Sequence, residues 1–281
     1  MRKIAIEIFY WMDNWADDQI AYFQRAKDCG FEGVEISFVA GPEAIDVNRM
    51  RGELDRLGLD VYCSTGLGAE TDISHPDAAV RQAGIAYLRK CLETAKQLQS
   101  SLLGGVTYAP WLLFPDGNDL HAHRERSAAA LHEVGKIAAD LDIILTMEIL
   151  NRFETFMFNT VDEGLHFLEQ VNHPNIKLQL DTYHMNMEED SIPDAIRKAG
   201  TSIGHFHCAA SNRKLPGRGH IDWVAVASAL NATDYDGALI IETFPNPDVE
   251  TGRTVNTWRP LVSAYDEEAK SAAEFLRQHF G

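Results

Sequence analysis

The chain is poor in cysteine. Cys29, Cys63, Cys91 and Cys208 are its only four, and no CxxC or zinc-ribbon spacing occurs among them. They read as reduced, partly buried thiols. Cys208 adjoins His207, but neighbouring residues of a strand face opposite ways, so it is not counted as a ligand. Long hydrophobic runs are also missing: nothing approaches the roughly 20 apolar residues of a membrane helix, so no membrane role is expected. Positive charge is scarce, with 25 Lys and Arg against 42 Asp and Glu and a net charge of −17. That excludes a nucleic-acid partner, which needs a basic field, and suits a neutral small molecule. The start, MRKIAIEIFYWMDNW, is basic, but its apolar run is short, is broken by Glu7 and has no small-residue cleavage site. It reads as the first strand of a cytoplasmic protein, in which the Asn231-Ala-Thr233 sequon is silent. There is no GxGxxG after that strand and no Walker loop.

Apolar residues make up 45% of the chain, ample for one large core. Eight strand-like runs are present: KIAIEIF, GVEISFV, DVYCST, SLLGGVT, IILTMEI, IKLQLD, SIGHFH and ALIIETF. Helical stretches alternate with them. Residues 78–98 carry Val80, Tyr87, Cys91, Ala95 and Leu98 at helical spacing, with Ser74 and Asp77 resembling a capping box ahead of them. Asn159-Thr160 marks another helix entry. Eight strands alternating with helices predict a closed (β/α)₈ barrel, an α/β TIM barrel. No linker divides the chain, so residues 1–281 are taken as one domain. The open doubly wound sheet, the alternative, lacks its phosphate loop. The longest irregular stretches, about 107–120 and 243–262, follow strands on the face where barrel enzymes place their chemistry.

Four of the runs end on Glu148, Asp181, His207 and Glu242, at intervals of 33, 26 and 35 residues. One strand-plus-helix unit is about 30 residues, so these four side chains should meet where strands five to eight open into the barrel mouth. Three carboxylates cannot share an apolar-walled site without a compensating cation. Three oxygen donors and one nitrogen suit a divalent metal ion, Mn²⁺ first, with Co²⁺ or Mg²⁺ as alternatives. His205, two residues before His207, should face inward one layer deeper as a satisfied core histidine. Gln179 should fill a layer in the same way. Trp11, Trp15, Trp111 and Phe244 lie near strand ends and could line the apolar face of a ligand or simply pack the mouth. Residues 212–220, NRKLPGRGH, form a basic loop in an acidic protein.

The segments MEILNRFETFMFNT (147–160), LDTYHMNMEED (180–190), GHFHCAASNRKLPGRG (204–219) and IIETF (240–244) resemble the ketose 3-epimerases of the xylose-isomerase-like barrel superfamily. The resemblance implies that Glu148, Asp181, His207 and Glu242 hold the metal and that Glu148 and Glu242 also form the acid–base pair. It implies that Glu154, His184 and Arg213 grip the ketose near its first hydroxyl and carbonyl oxygens. Read without it, Glu154 is a solvated loop charge, His184 a helix-entry residue and Arg213 a partner for the acidic run 188–190. A homodimer or homotetramer is implied as well, to which the Trp258 segment near 255–262 could contribute.

Epimerisation at C3 needs a proton removed from one face and returned to the other through an enediolate. Two carboxylates on opposite sides can do this, each contributing about 10²–10⁴-fold. Departures from the family bear on the sugar. Glu7 stands where relatives commonly carry histidine or tyrosine, and its alternation with Ala5 points it inward as a substrate contact, alongside Trp111. Ala209-Ala210 replaces Gly-Glu after the histidine ligand, and PGRGHIDW stands at 216–223. Rival readings are an aldose–ketose isomerase of the hydroxypyruvate isomerase type, a phosphosugar epimerase using the Arg213–Arg218 loop, and a non-enzymatic sugar-binding barrel.

Overall fold

A computed structural model describes residues 2–115, 117 and 119–281. Met1, Asp116 and Asn118, which fall within the expected single domain and, for the latter two, the irregular stretch 107–120, lie outside the described residues. Eight strands run β1 (Ile4–Glu7), β2 (Gly33–Ser37), β3 (Asp60–Leu67), β4 (Leu102–Pro110), β5 (Ile144–Glu148), β6 (Ile176–Asp181), β7 (Ile203–Cys208) and β8 (Leu239–Ile241). They close in sequence order into one barrel, and every pairing is parallel. Parallel strands covered by helices are buried on both faces. The predicted runs are accordingly near-continuously apolar, and β2 and β4 are buried throughout.

The surrounding helices are α1 (Phe23–Asp28), α2 (Val47–Leu57), α3 (Ala78–Gln97), α4 (Leu120–Asp140), α5 (Val161–Val171), α6 (Thr182–Glu188), α7 (Ile192–Ala199), α8 (Trp223–Asn231), α9 (Glu250–Thr254) and α10 (Tyr265–Phe280). Most of the longer ones start on a side-chain cap: Asp46, Asp77, Asp119, Thr160, Ser191 and Asp222 each accept a first-turn N–H. Each such cap contributes about 1 kcal/mol. Thr160 completes a reciprocal box with Glu163, as the Asn159-Thr160 signal predicts. Ser74 does not cap α3. Its hydroxyl donates to Asp72 Oδ1 at 2.7 Å, and Asp77 alone caps the helix.

Two glycines shape the floor of the mouth. Gly105 has φ +93°, a left-handed conformation favouring glycine, and a Cβ there would fall 2.3 Å from the Thr65 carbonyl oxygen. A Cβ on Gly104 would lie 2.4 Å from Gln179 Oε1. Their bare backbone lets β4 close on β3 and makes room for Gln179, which accepts from the Gly105 N–H at 2.9 Å and from the Thr146 hydroxyl at 3.1 Å.

Candidate active site

Glu148 and Asp181 are the last residues of β5 and β6, His207 is the last but one of β7, and Glu242 follows β8 by one position. One donor atom from each lies within 4.8 Å of the others, and all four are buried. His207 Nδ1 is 3.2 Å from Glu242 Oε2 and 3.6 Å from Glu148 Oε1. Asp181 also starts α6, its Oδ1 accepting from the Tyr183 N–H at 2.6 Å. That bond fixes its rotamer and leaves Oδ2 for the site.

Arg213 reaches in from the loop after β7, held with φ +60°. Its guanidinium is 2.7 Å from Asp181 Oδ2 and 3.0 Å from Glu242 Oε2, and it lies over the Tyr183 ring at 4.6 Å. It is not the partner of the acidic run 188–190. Glu188 pairs with Arg152 at 2.6 Å, and Glu189 accepts from the Val161 N–H.

The charges sort by surroundings. Burial and then the charge of Glu242 push Glu148 well above the usual carboxylate range, and its Oε1 has no partner. Burial pushes Glu242 the same way, but Arg213 and His207 outweigh it and hold the group at about 2. Burial raises Asp181 against the pull of Arg213. For His207, Glu35 and Glu242 overcome burial and raise it well above the ordinary imidazole value. This donor set fits a divalent cation: three carboxylates and one imidazole converge in a buried site, and Glu148 Oε1 is left without a partner.

A pocket enclosing about 450 Å³ of space, part of it open to solvent, lies above these groups. Glu154 lines it rather than solvating a loop, with Oε1 accepting from Asn151 Nδ2 at 2.9 Å and Oε2 from Trp111 Nε1 at 3.3 Å. His184, inside α6, is fully buried. Its Nδ1 accepts from the Asn151 backbone N–H at 3.1 Å, so the neutral ring carries its proton on Nε2, which has no protein partner. Burial lowers this imidazole to about 3 and keeps it neutral.

On the opposite wall, Glu7 points inward. It accepts from the Ser64 hydroxyl at 2.9 Å, and burial followed by the charge of Glu35 raises it well above the carboxylate range. Phe9 stacks on Phe244 at 4.3 Å, and Trp15 meets Trp111 edge-on at 6.0 Å. Trp11 is not part of the wall. The chain turns after β1 through Ile8–Tyr10, and the Trp11 indole donates to Asp266 beneath Arg25. His205 is a satisfied core histidine, 2.6 Å from Glu35. Glu35 escaped the sequence reading. Its one signal was a carboxylate in the middle of an apolar strand.

Fold and site together define a barrel enzyme of the sugar isomerase and epimerase class. The family model for the xylose isomerase-like TIM barrel matches residues 23–279. Over 98% of this chain and 97% of its own length, the D-psicose 3-epimerase of Ruminiclostridium cellulolyticum is 35% identical. The L-ribulose 3-epimerase of a Methylomonas species is also 35% identical, over 96% of this chain and 95% of its own. A crystal structure of D-psicose 3-epimerase with D-tagatose from Clostridium cellulolyticum H10 superposes with a TM-score of 0.95 at 33% identity, covering 99% of both chains. The chain therefore belongs to the xylose isomerase-like TIM barrel family and, within it, to the ketose 3-epimerases. It is an isomerase acting on carbohydrate.

Proposed function

We propose that this protein inverts C3 of a free ketose through an enediolate, with Glu148 and Glu242 exchanging the C3 proton on opposite faces. The observation that carries this reading is the convergence of the two glutamates, from strands on different sides of the mouth, on one imidazole nitrogen beneath an open pocket. Glu148, Asp181, His207 and Glu242 would hold one divalent cation, Mn²⁺ first and Co²⁺ or Mg²⁺ next; when bound, it would polarise the C2 carbonyl and compensate the negative charge of the enediolate. Opposite displacements of two carboxyl pKa values mark an acid and a base, and the protein groups alone drive Glu148 up while they hold Glu242 at about 2. One accepts the proton, the other returns one, and their roles exchange in the reverse direction.

Binding and orientation fall to the remaining groups. His184 Nε2 and Arg213 donate to the oxygens at the carbonyl end, and Glu154, braced by Trp111 and Asn151, accepts from a hydroxyl. Glu7 offers a neutral carboxyl to the tail of the sugar, while Trp111 and Phe244 cover its carbon face. Arg218 faces Glu268 at 3.8 Å rather than the pocket, which favours an unphosphorylated ketose. Among the described residues no helix is long and apolar enough to cross a membrane. The four buried free thiols support a cytoplasmic enzyme. A homodimer or homotetramer belongs to the same reading, with the exposed Trp258, 74% accessible, as a candidate contact.

The test is an NMR incubation in D₂O with D-psicose, D-fructose, D-tagatose and L-ribulose. The reading expects deuterium at C3 together with the C3 epimer. Deuterium at C1 of the recovered ketose, with an aldose product deuterated at C2, would make the protein an aldose–ketose isomerase, and unaltered sugar after long incubation with Mn²⁺ would make it a binding barrel.

A further inference from the structure

Glu35 sits in the middle of β2, fully buried, in register with Glu7 on β1. From there it reaches across the barrel to two imidazoles on β7. Its Oε2 is 2.6 Å from His205 Nε2; its Oε1, buried and without a hydrogen bond, lies 3.3 Å from His207 Nε2, the nearest group it can take as a partner. The other nitrogen of His207, Nδ1, faces Glu242 and Glu148. A histidine presents one ring nitrogen to a metal while a carboxylate holds the other, and such partners fix ring orientation and raise ligand basicity. Glu35, His205 and His207 do not form a second cation site. The 2.6 Å separation of Glu35 and His205 is that of a charge-assisted hydrogen bond, and it ties one carboxylate oxygen down so that the other stays against His207. Gln179 completes the clamp, its amide nitrogen 3.2 and 3.4 Å from the two ring nitrogens of His207 and its oxygen fixed by β4.

We infer that Glu35 is a positioning residue for the cation site: anchored by His205, it holds His207 Nε2 so that Nδ1 is the ligand atom offered beside Glu148, Asp181 and Glu242. The inference rests on reading those four residues as the cation site. Glu35 touches neither sugar nor cation, so it acts entirely through the ring it orients.

Mn²⁺ titration calorimetry on metal-stripped wild type, Glu35→Gln and His205→Gln tests this, paired with steady-state epimerisation across a range of Mn²⁺ concentrations. Loss of such a partner typically weakens metal binding about 10–100-fold. Glu35→Gln should fall in that range and recover turnover when Mn²⁺ is raised to saturation, a rescue that a merely structural role would not give. His205→Gln, which leaves Glu35 and His207 in place, should weaken binding in the same direction by less. Unchanged Mn²⁺ affinity in folded Glu35→Gln overturns the inference. Where that variant does not fold, unchanged affinity in His205→Gln overturns it. Absence of Mn²⁺ binding by the wild type sinks the cation site itself, a distinct failure.

Discussion

Strands β5–β8 bring Glu148, Asp181, His207 and Glu242 to one point, whereas β1–β4 bring Glu7, Ser64, Phe9 and Trp111 to the facing wall. Both halves carry buried carboxylates. In the second half they converge with donor atoms on a common centre. In the first half, one oxygen of Glu7 accepts from Ser64 and one of Glu35 pairs with His205, while Glu7 Oε2 and Glu35 Oε1 make no hydrogen bond. The same barrel repeat thus yields a reactive side and a recognising side. The acids that close β5, β6 and β8 meet around His207, whereas Glu7, which ends β1, lies level with the mid-strand Glu35 and turns to Ser64.

The comparison breaks most visibly at the two glutamates. Glu148→Gln and Glu242→Gln should each lower epimerisation by about 10²–10⁴-fold or more while calorimetry still detects Mn²⁺; near-normal turnover in both would refute the proton exchange. His184→Gln comes next. Moving a donor aimed at developing charge typically costs about 10²–10³ in kcat, so steady-state kinetics should show a fall of that order with Mn²⁺ affinity unchanged.

Proton competition gives a third, graded effect. Their surroundings push Glu148 and His207 well above their ordinary pKa values, so a metal must displace protons from them. Mn²⁺ affinity should therefore rise with pH through the neutral range, by about tenfold per unit for each proton released. Calorimetry in buffers of differing ionisation enthalpy counts those protons, and a flat profile would contradict the charge pattern. The smallest effect belongs to the facing wall. Loss of one hydrogen bond is worth about 0.5–1.5 kcal/mol, so Glu7→Gln should shift kcat/KM between ketoses by about 2- to 10-fold and leave Mn²⁺ binding alone. A shift confined to metal affinity would move Glu7 to the other side of the comparison.

The reactive half was legible in the chain because each of its residues closes an apolar run one strand–helix unit from the next. Barrel closure turns that linear spacing into proximity. Thr160 was legible for a local reason, since its cap involves only the following turn. Glu35 was not, because its partners lie 170 and 172 positions away on β7 and nothing local distinguishes it from a packing error. Trp11 looked like a strand-end aromatic. The tight turn at Ile8–Tyr10 reverses its direction and sends it toward α10, a rotation that no periodicity encodes. Ser74 satisfied a capping pattern but found a nearer acceptor in Asp72.

The central claim is that two glutamates work on opposite faces of C3, and hydrogen exchange without inversion tests it most directly. Glu148→Gln and Glu242→Gln, each saturated with Mn²⁺, would be incubated in D₂O with each epimer of a substrate pair, and C3 deuteration followed by NMR. The account predicts that each variant exchanges the C3 hydrogen of one epimer alone, that the two variants choose opposite epimers, and that neither forms the inverted sugar. Exchange of the same epimer by both variants, or inversion by either at the wild-type rate, would contradict it.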